Sequence, residues 1–232
     1  MIRIGTAGWA IPAAHRSGFP ASGSLLEKYA ARLTAAEINS SFYRPHQRKT
    51  YERWATSVPA GFRFAVKVPR SITLEHRLQR YGDRLDQFLD ETGGLGKKLG
   101  VFLVQLAPSL IFDKSIATRF FRDLARAEIR IACEPRHASW FSPQADAMLK
   151  KLGVARVAAD PPRAPTDGQP GGDTSFAYWR MHGSPRIYYS DYEDAVLKRL
   201  ASRLRRNDWC IFDNTVGSHA LGDALRVREL TA

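Results

Sequence analysis

Eight times along the chain a short run of apolar residues, many β-branched or aromatic, stops abruptly at charged, amide or hydroxyl side chains. In order, the endings are Gly5-Thr6, Glu37-Ile38-Asn39, Lys67, Gln105, Glu134-Pro135-Arg136, Asp160, Arg180-Met181-His182 and Asp213-Asn214. A run that turns polar only at its last residues reads as a buried strand delivering side chains to one rim. Most of the runs precede a stretch legible as a helix. Such alternation predicts an α/β fold: a single (β/α)8 TIM barrel, with eight parallel strands inside an outer ring of helices. Active sites of these barrels lie at the C-terminal strand ends. The pattern locates a site without naming a reaction.

The predicted strands cover residues 2–7, 35–42, 62–68, 100–106, 130–136, 154–160, 176–181 and 209–213. Ser24 is a plausible N-cap for a helix through Leu33, and Pro143 suits the first turn of a helix reaching Leu152. Further helices are expected near residues 50–57, 80–92, 114–126, 191–206 and 219–230. After the sixth strand, residues 161–173 are rich in Pro and Gly, so a loop replaces the helix expected there.

The 232 residues, 44% of them apolar, suit one domain over 1–232 and exclude a disordered chain. No apolar run approaches the ~18 residues that span a bilayer, and the start, Met1-Ile2-Arg3-Ile4-Gly5, enters a strand with no secretory pattern. A cytoplasmic protein without a membrane partner is expected. Cys133 and Cys210 fall on strand positions facing the helix layer, which predicts buried free thiols rather than a disulfide or a metal site. The 35 Lys+Arg against 23 Asp+Glu give a net charge of +12. That balance is compatible with phosphorylated substrates or nucleic acid, and equally with solvated basic helix faces around Arg203, Arg205, Arg206, Arg226 and Arg228.

Side chains alternate along a strand, so parity assigns faces. Glu37 shares a face with Asn39, Arg180 with His182, Glu134 with Arg136, and Gln105 with Val101 and Leu103. Turning these inward sends Phe64, Val66, Phe102, Val104, Cys133, Trp179, Met181, Cys210 and Phe212 outward, an almost wholly apolar set, as a helix-covered sheet requires. The inward set then gathers Glu37, Glu134, Asp160 and Asp213 against Lys67, Arg136 and Arg180, with Asn39, Gln105 and His182 among them. Desolvated charges at this density must be paired, either as a structural layer or as acid–base machinery.

In the functional reading His182 shuttles protons, with Glu134, Asp160 or Glu37 as orienter or base. Lys67, Arg136 and Arg180 suit a phosphate or carboxylate. A divalent metal on His182 and the carboxylates is chemically possible, but no HxxxH or clustered His/Cys spacing supports one, so the cofactor is left open. His137 lies past a strand end, where parity fails, and can still face the mouth. Trp9, Tyr43 and Trp140 flank the rim, where aromatic rings could stack on a base or sugar or simply pack loops over the barrel. Gly5-Thr6-Ala7-Gly8 lacks the GxGxxG spacing of a dinucleotide site.

The strings IGTAGW, EINSSFYR, FRFAVKVPR, LVQLAPS, EPRHASW, YWRMHG and IFDNT, in this order, resemble domain-of-unknown-function family 72 over nearly the whole chain. The resemblance implies a TIM barrel and carries no reaction. It implies characteristic positions at Glu37, Asn39, Tyr43, Lys67, Gln105, Glu134, Arg136, His137, Trp140, Arg180, His182 and Asn214. Ala7, Ala138 and Pro135 depart from the residues frequent there, and none of these departures removes a rim charge. The functions in view are an enzyme of acid–base chemistry on a small anionic, phosphorylated or sugar-like substrate, a nucleic-acid-binding protein or metal-dependent phosphodiesterase, and a non-catalytic metabolite- or protein-binding module. No sequence feature decides the oligomeric state.

Overall fold

The computed structural model describes residues 1–162 and 168–232, so part of the 161–173 connection lies outside the described residues. Ten strands alternate with seven α-helices: β1 (Arg3–Thr6), α1 (Leu25–Ala30), β2 (Ala35–Ile38), α2 (Arg48–Thr56), β3 (Arg63–Lys67), α3 (Gly82–Thr92), β4 (Leu99–Gln105), α4 (Lys114–Ala125), β5 (Arg130–Glu134), α5 (Pro143–Lys151), β6 (Val154–Arg156), β7 (Ala158–Asp160), β8 (Gly171–Gly172), β9 (Tyr178–Met181), α6 (Asp194–Ala201), β10 (Trp209–Phe212) and α7 (Ala220–Leu230). Ser24 closes a capping box with Glu27 at the start of α1, and Ser142 caps α5 with Pro143 in its first turn.

Hydrogen bonding sorts the strands into two sheets, β1-β10-β9-β7 and β2-β3-β4-β5-β6-β8. Every pair is parallel except β6 with the two-residue β8, which was not expected from sequence. The single sixth strand expected from sequence is two, and this break passes hydrogen bonding from one sheet to the other. Its first half pairs with β5, Val157 N donates to Cys133 O at 2.8 Å, and its second half pairs with β9. At the opposite seam, Ala7 and Glu37 form a parallel bridge and Gly8 N donates to Glu37 O at 2.8 Å. The Tyr29 hydroxyl stitches the same seam, accepting from Thr6 N at 2.8 Å and donating to Ala35 O at 3.0 Å.

Strand two also ends earlier than expected. Ser41 Oγ donates to Ile38 O and Lys67 O, and a short 3-10 turn, Ser40–Phe42, replaces its last residues. Polar side chains that bond locally to the backbone compete with a strand ladder in this way.

The parity split holds. All nine side chains assigned outward join one cluster with the apolar faces of the helices, including Leu85, Phe120 and Val227. A second cluster, Ala35, Ala65, Val101, Leu103, Ala132, Ala155, Val157, Ala159, Phe176, Tyr178, Trp209 and Ile211, fills the side the helices do not cover. Cys133 and Cys210 are buried, free thiols in the outer cluster, and desolvation pushes both up. No helix among the described residues is long and apolar enough to cross a membrane.

Gly5 lets β1 approach β2: a Cβ there would collide with the Ala35 carbonyl. Gly5→Ala is expected to destabilise the protein by about 1–3 kcal/mol, the usual range for overpacking, read as a lower urea midpoint. An unchanged midpoint would mean that the seam is not packed as described.

Candidate active site

The deepest polar group is Arg180 on β9, fully buried, its guanidinium enclosed by carboxylates from three other chain segments. Its Nε donates to Glu37 Oε2 at 3.0 Å and its Nη2 to Glu37 Oε1 at 2.6 Å, a bidentate pair. Its Nη1 donates to Glu134 Oε2 at 3.0 Å, and Nη2 lies 3.1 Å from Asp213 Oδ2. Glu37 sits on β2, Glu134 at the end of β5, and Asp213 one residue past β10. Inward parity at the C-terminal strand ends brings all four together.

Glu134 accepts from four donors: Arg180 Nη1, Gln105 Nε2 at 2.8 Å, Arg136 Nη2 at 2.9 Å and His182 Nε2 at 2.9 Å. Glu37 completes its set with the Tyr178 hydroxyl at 2.9 Å. His182 lies between two carboxylates, with Nδ1 3.1 Å from Asp213 Oδ2 and Nε2 on Glu134. Both ring nitrogens therefore face acceptors, the environment of an imidazolium.

The charge states follow from these contacts. Burial pushes the Glu134 carboxyl up, but Arg180, Arg136 and His182 outweigh it and hold the group well below the ordinary glutamate value. Burial opposes ionisation of Arg180, yet Asp213, Glu37 and Glu134 raise it well above an ordinary arginine. Burial likewise lowers His182, and Glu134 with Asp213 more than restore it, leaving it raised. Asp213 is lowered: desolvation is overcome by Arg180, His182 and Lys67.

Lys67, at the end of β3 and 4% exposed, behaves differently. Its ammonium lies over the Phe42 ring, 3.9 Å from the centroid, and has no hydrogen-bond partner among the described residues. Burial and the Arg180 charge push it down to about 8 against the pull of Glu37, Glu134 and Asp213. Two more groups beside the network are buried and unpartnered: Arg136 Nε and Asn39 Oδ1. Tyr188 arches over the site from the loop after β9, its ring edge-on to His182 at 5.8 Å and its hydroxyl beside Arg136.

Glu37, Gln105, Glu134, Arg136, Arg180, His182 and Asp213 thus form one bonded network, with Lys67 and Asn39 at strand ends beside it. Other expected residues fall elsewhere. Asp160 is a correction: Ala155, Val157 and Ala159 take the inward positions, so its carboxylate points to the helix layer and accepts from Tyr192 at 2.9 Å. Asn214, adjacent in sequence to inward Asp213, also faces away and donates to Asp223 Oδ2 at 2.7 Å and Ser190 O at 2.9 Å.

Trp9 packs edge-on against Trp54 and Phe64, and Trp140 is buried with its indole donating to Leu110 O, so neither presents a stacking face at the mouth. His137 caps the turn Ala138–Phe141 through Ser139. Tyr43 remains exposed at the rim. Sequence reasoning missed Tyr178, which parity with Arg180 would have found, and Tyr188, for which a loop gives no signal. Among the described residues no group of three or more His, Cys, Asp or Glu is arranged to hold a metal ion.

Parallel strands with helices on one side define an α/β protein with a TIM-barrel-like fold, and a charged network stands at the strands' carboxyl ends. A family model described as "Protein of unknown function DUF72" matches residues 3–232, and the chain belongs to that family. It is 27% identical over 165 residues to UPF0759 protein YecE of Escherichia coli (strain K12), a match covering 69% of this chain and 59% of that protein. The chain therefore spans about three fifths of the length of that curated relative. The crystal structure of a DUF72 family protein from Enterococcus faecalis V583 superposes with a TM-score of 0.81 at 23% identity, covering 100% of this chain and 95% of that one. D-psicose 3-epimerase superposes with a TM-score of 0.57 at 10% identity over 99% of this chain and all of its own, a likeness of fold.

Replacing Arg180 by Met leaves Glu37 and Glu134 buried without their main partner, and the expected cost is about 3–5 kcal/mol, read by chemical denaturation. A loss below 1 kcal/mol would show that the network is not the buried, paired arrangement described. Because folding raises the His182 pKa, its stabilising contribution is complete below the unfolded value near 6.5 and is lost as pH rises through the folded value. Stability should therefore fall with rising pH above 6.5 in the parent and fall less steeply in His182→Gln. Parallel profiles would contradict the assignment.

Proposed function

We propose that the chain is an enzyme built on a closed (β/α)8 barrel, performing acid–base chemistry on a small anionic, phosphorylated or sugar-like substrate at its C-terminal mouth. The barrel reading counts β6 and β7 as one strand that changes partner and takes the Ala7–Glu37 bridge as the closing seam.

The observation that carries the substrate class is an imbalance between donors and acceptors. Glu134 is saturated with four donors and Glu37 accepts three, whereas Lys67 Nζ and Arg136 Nε are donors without acceptors among the described residues. A donor-rich site of this kind suits an anion. Asn39 Oδ1 is the opposite case, an orphaned acceptor suited to a hydroxyl. An anion carrying hydroxyl groups satisfies both, which fits sugar phosphates and sugar acids and agrees in class with the sugar substrate of the epimerase neighbour.

In this reading Lys67 and Arg136 hold the anionic group. Lys67, whose ammonium has no hydrogen-bond partner among the described residues, donates the proton to the oxygen on which charge develops, while His182, both ring nitrogens bound to Glu134 and Asp213, keeps those carboxylates in place. Glu134 has no free lone pair and lies far below neutral titration, so it orients His182 rather than acting as the base. Tyr178 and Glu37 hold Arg180, which fixes Glu134 in turn.

A second reading, binding of single-stranded nucleic acid, rests on Tyr43, 67% exposed in a groove also lined by Arg44, Arg70 and Arg84. One titration separates the two. Thermal-shift and calorimetric titrations with a panel of sugar phosphates and sugar acids should find a ligand whose affinity falls as pH rises through about 8, where Lys67 loses its proton. Lys67→Met should cost at least about tenfold in that affinity, and Lys67→Arg, which keeps the charge but does not give up its proton, should abolish turnover while sparing binding. If no member of the panel binds and a short oligonucleotide binds at low salt, the nucleic-acid reading replaces this one.

A further inference from the structure

At the opposite pole, the first inward residues of β1, β3 and β5 are all arginines: Arg3, Arg63 and Arg130. They line one cavity of ≈ 330 Å³ together with Gly100, Glu128, Asn207 and Trp209. The Trp209 ring, stacked on Tyr178 at 6.0 Å, forms its apolar wall, and Gly100 makes room for it, since a Cβ there would lie 2.6 Å from the indole.

Each guanidinium is anchored along one edge and leaves another open. Arg3 Nη1 donates to Gly61 O and to Met1 Sδ at 3.7 Å, and Arg63 Nη1 donates to Ala60 O at 2.9 Å and Phe62 O at 2.8 Å. Arg130 lies over the Phe176 ring at 5.2 Å. Their remaining N–H groups have no partner among the described residues. Among those residues no carboxylate forms an ion pair with any of the three, although Glu128 lines the cavity. Asp208, the nearest buried acid in sequence, spends its oxygens on Ala177 N and Arg205 N. The arginines repel one another, holding Arg3 below its ordinary value after burial, and Arg63 also disfavours the charge on Lys98.

Three cations converging without a counter-charge are unfavourable alone and become favourable around a multivalent anion. We infer that this N-terminal cavity is a second binding site, distinct from the candidate active site, for the diphosphate or triphosphate group of a small molecule. Planar guanidinium forks suit the oxygens of such a group.

The test is calorimetric titration of the full chain with inorganic pyrophosphate at low ionic strength, in a Lys67→Met/Arg136→Gln background that removes the anion donors of the other pole. Binding at one site per chain is expected to persist there. It should weaken at least about tenfold on adding Arg130→Gln, which breaks no hydrogen bond of the described residues, and again on adding Arg3→Gln. Absence of binding in the background variant overturns the inference, as does undiminished affinity in Arg130→Gln. A short single-stranded oligonucleotide that binds more tightly than pyrophosphate and is released by the same arginine substitutions would overturn the small-molecule ligand.

Discussion

One buried guanidinium organises this molecule. Arg180 belongs to the sheet β1-β10-β9-β7, and its bidentate partner Glu37 and second partner Glu134 belong to the sheet β2-β3-β4-β5-β6-β8. The ion pairs therefore cross the interior and tie the sheets together where backbone pairing is sparse, at the Ala7–Glu37 bridge and at the break in the sixth strand. Desolvating an arginine is costly, and the cost is offset only if every donor finds a well-placed acceptor. Three carboxylates around one planar fork meet that condition.

The same pairing decides what chemistry remains. Carboxylates bound this tightly are poor bases, so the groups left with open valences are at the edge of the network: the unpartnered Lys67 amine and the open edge of Arg136. A site of this kind has its acceptors occupied and donors to spare, the feature on which the proposed anionic substrate rests. The lower pole repeats the theme without the carboxylates, and cations without counter-charges at both strand ends concentrate part of the net charge of +12.

Much of this was legible in the sequence because a helix-covered sheet must be apolar on its outer face. That constraint alone sorted Phe64, Val66, Phe102, Val104, Cys133, Trp179, Met181, Cys210 and Phe212 from Glu37, Glu134, Arg180 and His182. Reading the polar last residue of strand six as a rim group places Asp160 inward, whereas parity continues across the break and gives the inward places to Ala155, Val157 and Ala159. Asn214 follows inward Asp213 and so must face outward, a consequence its amide chemistry obscured. Trp9 and Trp140 follow strand ends in sequence, but loop geometry returns them to the core, and no periodicity encodes that. The arginine ring at the lower pole was written in the first residues of three strands, yet rim reasoning looked only at their last ones.

The central claim is that the mouth binds an anion, and diffraction can test it directly. Crystals soaked in selenate and measured at the selenium edge should show an anomalous peak within hydrogen-bonding distance of Lys67 Nζ and Arg136 Nε, with Glu134 still bound to Arg180 and His182. An empty mouth in crystals that take up selenate elsewhere, or Lys67 turned onto a carboxylate, would contradict the account.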